Sequence, residues 1–310
     1  SASSPRIIGN QIIGNSGYNG GGLYLTSNSS GEIRNNTISN RAGLTGNANT
    51  PNIYVIDSSP LIQGNVIYPD PSTFYNGGYG IVVTGASSSA RIVKNVIYGH
   101  SNTGIYTVSS SHVRIINNTI SDNGGDGILI FSASPDSIVN NVLSFNSGYG
   151  IKENSASSDP GVVWYNLFYG NTGGHYRNEG TTDYVSVGAL NANVPECANN
   201  IEGDPLFVDR LNRDYHLLEG SPAIDSGAPP PIRPRDPDGS IADIGAFFFE
   251  QDLATCITFD FPVTTGAWYL ISLPVVPPDN SVTTLFPAAI AAFGWNYASQ
   301  SYTQAANLEP

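Results

Sequence analysis

An asparagine recurs along the first half of this chain at Asn10, Asn36, Asn65, Asn95, Asn118, Asn141 and Asn166, at intervals of 26, 29, 30, 23, 23 and 25 residues. A drifting period in the twenties is the signature of a solenoid whose coils carry loops of variable length. Three positions before each asparagine stand Ile7, Ile33, Ile62, Ile92, Ile115, Ile138 and Val163; two positions after stand Ile12, Ile38, Ile67, Ile97, Ile120, Leu143 and Phe168. Each segment is a few β-formers bounded by Gly, Asn and Ser, with none of the amphipathic spacing of a helical repeat. The unit is therefore a coil of short strands, and six intervals at the strand spacing give a rod of roughly 29 Å.

In such a rod, equivalent residues lie above one another. Stacked Ile makes a continuous core, and stacked Asn allows each amide to donate to the next. A buried Asn left unpaired costs about 1–3 kcal/mol, so a self-satisfying ladder is one reading; a left-handed turn residue in each coil is the other. Both make the repeat scaffold.

A second apolar register runs through Leu23, Ile53, Ile81, Ile105, Ile128 and Ile151, usually after a Gly. It follows the asparagine by 13, 17 and 16 residues in the first three coils and by 10 thereafter. The early coils thus carry longer loops at one corner. Tyr18, Tyr68, Phe74, Tyr75 and Tyr79 lie in or beside them and are candidates for stacking on sugar rings. The residue after each register position should face outward. Those residues, Tyr24, Tyr54, Val82, Tyr106 and Leu129, followed by Lys152, form a stripe apolar enough to call for a partner, either a later part of the chain or another subunit.

The "NNTI/GNVI" and "GI" ladders over about residues 1–190 resemble the right-handed parallel β-helix superfamily, the pectate-lyase-like fold of secreted proteins. The resemblance implies an all-β solenoid over 1–195 and leaves activity open, because the fold serves lyases, hydrolases, tailspikes and adhesins. Lyases of this kind use a basic proton abstractor with acid-held calcium, and the hydrolases use clustered carboxylates. Here Asp122 and Asp126 stack on no other acid and share a Gly-rich turn, while Lys152 and Glu153 interrupt an otherwise apolar strand. These four are the catalytic candidates, and they do not form a convincing constellation. Arg91 and Arg114 stack without acids, and the four histidines have no ligand spacing.

Residues 203–250, with "DPLF", "SPAID" and "DIGA" before Glu250, resemble the module that closes many secreted bacterial β-helix proteins. A capping role over 196–250 is expected, since the last coil of a rod exposes an edge and core. Asp236, Asp238 and Asp243 in "DPDGSIAD" are candidate calcium ligands, with a solvated turn as the alternative. Residues 251–310 resemble the opening strands of an immunoglobulin-like sandwich, too few to stand alone.

A net charge of −13 repels nucleic acid, and disfavours anionic polysaccharide unless a cation bridges. No apolar run is long enough to span a membrane. The chain has no Met and opens on "SASSP", the pattern expected after signal-peptide cleavage. With two cysteines, a secreted or cell-surface protein carrying a Cys197–Cys256 disulfide is expected, worth about 4 kcal/mol by loop closure. The functional expectation is a non-catalytic adhesin stalk or self-assembling fibre subunit without a cofactor. The alternatives are a calcium-dependent polysaccharide lyase or a glycoside hydrolase, and a module that binds cell-surface glycan without turnover.

Overall fold

The computed structural model describes residues 3–17, 20–40, 50–70, 78–109, 112–251, 293–296 and 301–304. Residues 1–249 form one compact unit, a right-handed parallel β-helix with an appended module. Each coil places one short strand in each of three eight-stranded sheets. The first sheet runs from Arg6–Ile8 to Cys197–Ala198 and the second from Gln11–Ile13 to Ile201–Glu202. The third begins at Leu23–Leu25 and ends at Gly174–Asn178 with an antiparallel strand, Thr182–Tyr184.

The pairing follows the sequence registers. Ile7, Ile33, Ile62, Ile92, Ile115, Ile138 and Val163 are successive partners in the first sheet. Ile12 to Phe168 align in the second sheet and Leu23 to Ile151 in the third. Most of these side chains are fully buried in one continuous cluster. Each buried aliphatic contributes about 1.5–3 kcal/mol relative to exposure, so the core grows by three such side chains per coil.

The asparagines form an amide ladder. In every coil the backbone N–H and Nδ2 of one Asn donate to Oδ1 of the next; for Asn95 to Asn118 both distances are 3.0 Å. The left-handed backbone belongs to the preceding residue: Asn35, Lys94, Asn117, Asn140 and Tyr165 have φ between 51° and 58°. The two sequence alternatives thus resolve into adjacent positions, one making the corner and one satisfying it. Gly precedes the third-sheet register because the coils nearly touch there: a Cβ on Gly104 would sit 2.9 Å from the carbonyl oxygen of Gly127.

Both registers continue beyond the expected boundary at 195. Cys197 pairs with Val163, and Asn200 accepts from Asn166 as a further rung before Asn191 accepts from Asn200. The end of the rod is closed by the helix Val187–Asn193, whose Val187 and Leu190 join the core, rather than by residues 203–249.

That C-terminal stretch packs against the outer face of the second sheet. Leu217, Ala223 and Ile244 bury Val142 and Leu167, and Tyr215 and Ala246 bury Val96. Corner residues fasten it: Asn117 Nδ2 donates to the carbonyls of Asp243 and Gly245, and Asn140 Oδ1 accepts the N–H of Ala228. The expected cap is therefore a lateral cover. Beyond residue 251 the described part is an antiparallel pair, Phe293–Asn296 with Ser301–Gln304. The rest of the immunoglobulin-like expectation falls outside the described residues.

Candidate functional site: the outer face of the third sheet

Strand alternation makes Tyr24, Tyr54, Val82, Tyr106, Leu129 and Lys152 successive partners on the outer face of the third sheet. The predicted stripe exists, and the C-terminal module covers the neighbouring sheet instead. Tyr24 is 47% exposed, Tyr54, Tyr106 and Leu129 are half-buried, and Val82 is buried between its neighbours.

The tyrosines interact in pairs. Tyr24 and Tyr54 have ring centroids 5.7 Å apart, tilted by 46°. Tyr79 stacks on Tyr106 at 5.2 Å and 24°. Burial first, then the neighbouring tyrosines, raises the phenol pKa of Tyr54 and Tyr106 above its ordinary value. Their hydroxyls therefore stay protonated donors through the physiological range, each beside a flat apolar ring.

Further along the face the character changes. Lys152 Nζ lies 4.0 Å from Asp126, whose Oδ1 accepts the Tyr149 N–H at 2.8 Å. Burial raises the Asp126 carboxyl, opposed by that hydrogen bond and by the Lys152 and Arg177 charges. Arg177, the register partner of Lys152, donates to the Tyr149 hydroxyl at 3.2 Å and pairs with Asp183 at 3.3 Å. A run of rings thus leads into a cluster of both charges. The sequence reading missed Tyr149, Arg177 and Asp183, although Tyr176 follows Asn166 by the same ten residues as the register positions of the two preceding coils.

The other candidates separate. Lys152 and Glu153 lie on opposite sides of one strand: Glu153 is fully buried and accepts from the Tyr176 hydroxyl and, at 2.9 Å, from the Glu179 N–H. Burial outweighs those donors and pushes its carboxyl up to about 7. Asp122 does not join Asp126 at a common site, because it is held by Arg210, Arg213 and Tyr215 from the lateral module. Tyr68 sits on the second sheet, stacked 5.3 Å from Tyr98, and so is not on the stripe. Tyr18, Phe74 and Tyr75 lie outside the described residues.

Asp236, Asp238 and Asp243 each clamp local backbone. Asp236 accepts the Asp243 N–H at 2.7 Å, Asp238 accepts from Ser240, and Asp243 takes the N–H groups of Asp225 and Phe249. The one trio of acids that comes within 4.8 Å among the described residues is instead Glu153, Asp159 and Glu196, near the end of the rod. Cys197 is a buried free thiol, raised well above its ordinary pKa by burial and then by the neighbouring acids; Cys256 lies outside the described residues. No helix among the described residues is long and apolar enough to cross a membrane.

Comparison with curated proteins gives no match. Among solved structures, the A-module of the mannuronan C-5 epimerase AlgE6 of Azotobacter vinelandii is similar at 14% identity and a TM-score of 0.32, over 66% of this chain and 59% of that one. The match spans less than two thirds of that structure, and at this level carries no functional argument. The sequence pattern of the family described as the right handed beta helix region matches residues 44–188, coils that lie within the solenoid built above.

Proposed function

We propose that this protein is an extracellular β-helix scaffold that holds polysaccharide along the outer face of its third sheet, without turning it over. The observation that carries the reading is the row Tyr24, Tyr54, Tyr79 and Tyr106, which remains accessible while the adjacent sheet face is buried by the chain's own residues. Rings along a rigid sheet offer successive apolar platforms at low entropic cost, and their hydroxyls and the charged end at Lys152 and Arg177 supply polar contacts. The low share of charged residues, 12%, and the Asn-, Ser- and Gly-rich composition support a secreted setting.

Self-association through the same stripe, as in a fibre, is the second reading that these partly exposed rings support. A calcium-dependent lyase or a hydrolase would draw on Asp126 and Lys152, which share the face. Incubating the full chain with xylan, galactomannan and polygalacturonate, with calcium or chelator, separates the three. Retention on at least one polymer without new reducing ends or unsaturated products is expected. Product would replace the non-catalytic reading, and assembly that grows with concentration without retention would favour the fibre.

A further inference from the structure

The outer face of the first sheet carries a different surface. Arg91 and Arg114 are register partners, and beside them Val93, Ile116, Val139 and Trp164 align in successive coils. The Pro-rich run 229–237 crosses this face. Between run and sheet lies a groove of 720 Å³ bordered by Arg91, Arg114, Trp164, Ile232 and Arg233, and a smaller cavity of 240 Å³ adjoins it at Arg233. Lys94, Asn117, Arg235 and Asp236 line the smaller one.

Five of the chain's twelve Lys and Arg residues thus border two adjoining cavities in a protein of net charge −13. Their charge is only partly met. Asp136 is occupied by His112 at 2.9 Å and Arg114 at 3.3 Å, Asp236 lies near Lys94 and Arg233, and Asp159 also borders the larger groove, while Arg91 has no carboxylate partner among the described residues. The Nε of Arg233 is buried without a hydrogen-bond partner, and burial followed by the Arg91 charge lowers the Arg233 pKa against the opposing charge of Asp236. Asn117 is 4% exposed and spends its Nδ2 on the lateral module, leaving a buried Oδ1 with no donor at the smaller cavity. Two cations held together and a buried acceptor left open ask for a ligand that carries both oxyanions and hydroxyl donors.

We propose that this cleft is a second binding site, for an acidic saccharide whose carboxylate or sulfate groups meet Arg91 and Arg233, whose ring lies on Trp164 and Ile232, and whose hydroxyl donates to Asn117. The larger groove falls within the roughly 300–1,000 Å³ of ligand pockets and the smaller below it, suiting a chain with one group inserted. An acidic peptide fits less well. The floor is the face of a sheet whose backbone groups are already paired along the rod, so a peptide strand would find no edge to extend. With Lys94, Arg91, Arg114, Arg233 and Arg235 set against Asp136, Asp159 and Asp236, cations outnumber acids at these two cavities, which offsets locally the repulsion that the whole-chain charge implies.

The site stands apart from the third sheet, and its test can fail separately. Calorimetric titration of the full chain would use oligogalacturonate, heparin-derived oligosaccharide, cello-oligosaccharide and polyglutamate. Binding of one or both acidic sugars is expected, with at least a tenfold loss in Arg91→Ala/Arg233→Ala, a steep fall with salt, and no change in Tyr54→Ala/Tyr106→Ala. The galacturonate and heparin arms identify carboxylate or sulfate as the preferred group. Because Arg233 is partly buried, the exposed Arg91→Glu serves as a second variant and should weaken binding while leaving the melting curve unchanged. Wild-type affinity for the acidic sugars in Arg91→Glu, no binding of either acidic sugar, or binding of polyglutamate alone would overturn the assignment, whereas neutral-sugar binding lost in Tyr54→Ala/Tyr106→Ala belongs to the third sheet.

Discussion

Arg210 places Nε and Nη2 on the same oxygen of Asp122, at 2.9 and 2.7 Å, across 88 residues of sequence. The other oxygen accepts from the Tyr215 hydroxyl at 2.9 Å, and the Arg210 guanidinium lies 3.6 Å from the centre of the Phe145 ring. A side chain that reads as a turn former in sequence is the point at which the lateral module locks onto the rod. Asp122→Ala should strip Arg210, Tyr215 and Ser121 of their carboxylate acceptor and cost about 2–3 kcal/mol. Urea unfolding would show this, and limited proteolysis should cut first within 203–249 rather than in the coils.

The amide ladder predicts a dependence on position. Asn118 Oδ1 accepts two bonds from Asn95, and its Nδ2 serves Ile92, Ile116 and Asn141. Removing that side chain leaves several buried groups unpaired, for a loss of about 3 kcal/mol or more in Asn118→Ala. Asn10 is exposed at the first rung, so Asn10→Ala should cost under about 1 kcal/mol in the same denaturation assay.

Glu153 sets a pH dependence whose sign is opposite to that of a salt-bridged acid. Its carboxyl moves from 4.5 up to about 7, so between those values the unfolded chain has released a proton that the folded chain keeps. Its contribution is present below pH 4.5, is lost as pH rises through about 7, and is on the order of 3 kcal/mol. His100, held near 4 by burial, acts in the other direction, losing stability as pH falls from 6.5. Comparing Glu153→Gln with the parent chain cancels the histidine. The variant's relative melting temperature should climb from pH 5 to pH 8, and a constant offset would contradict the assignment.

The rod was legible because its signal is local and repeated: fixed offsets of apolar residues around one Asn specify strand, corner and register together. The same logic held information that went unused. Five residues after the ladder stand His100, Asn123, Asn146 and Asn171, and these form a second ladder, with Asn123 donating to Asn146 at 3.1 and 3.0 Å. Asn200 lies 34 residues after Asn166 because the helix Val187–Asn193 is inserted in that coil, which hides the rung from a search at the usual interval.

Placement of the C-terminal module was not legible from the stripe at Tyr106 alone. Two outward columns are apolar, and the one directly after the ladder Asn, with Val96, Val142 and Leu167, is the one buried. Choosing between them depends on long-range partners such as Arg210 with Asp122, which no local pattern records. The cleft at Arg233 was hidden for the same reason: Arg91 and Arg114 gain their meaning when the run 229–237 crosses above them.

Whether the third-sheet tyrosines hold polysaccharide is decided by affinity electrophoresis in native gels cast with xylan, galactomannan or polygalacturonate. At least one polymer should retard the parent chain, and Tyr54→Ala/Tyr106→Ala should abolish that retardation while the Arg91→Glu chain keeps it on a neutral polymer. Unchanged migration of the parent chain in all three gels, or equal retardation of the tyrosine variant, would contradict it.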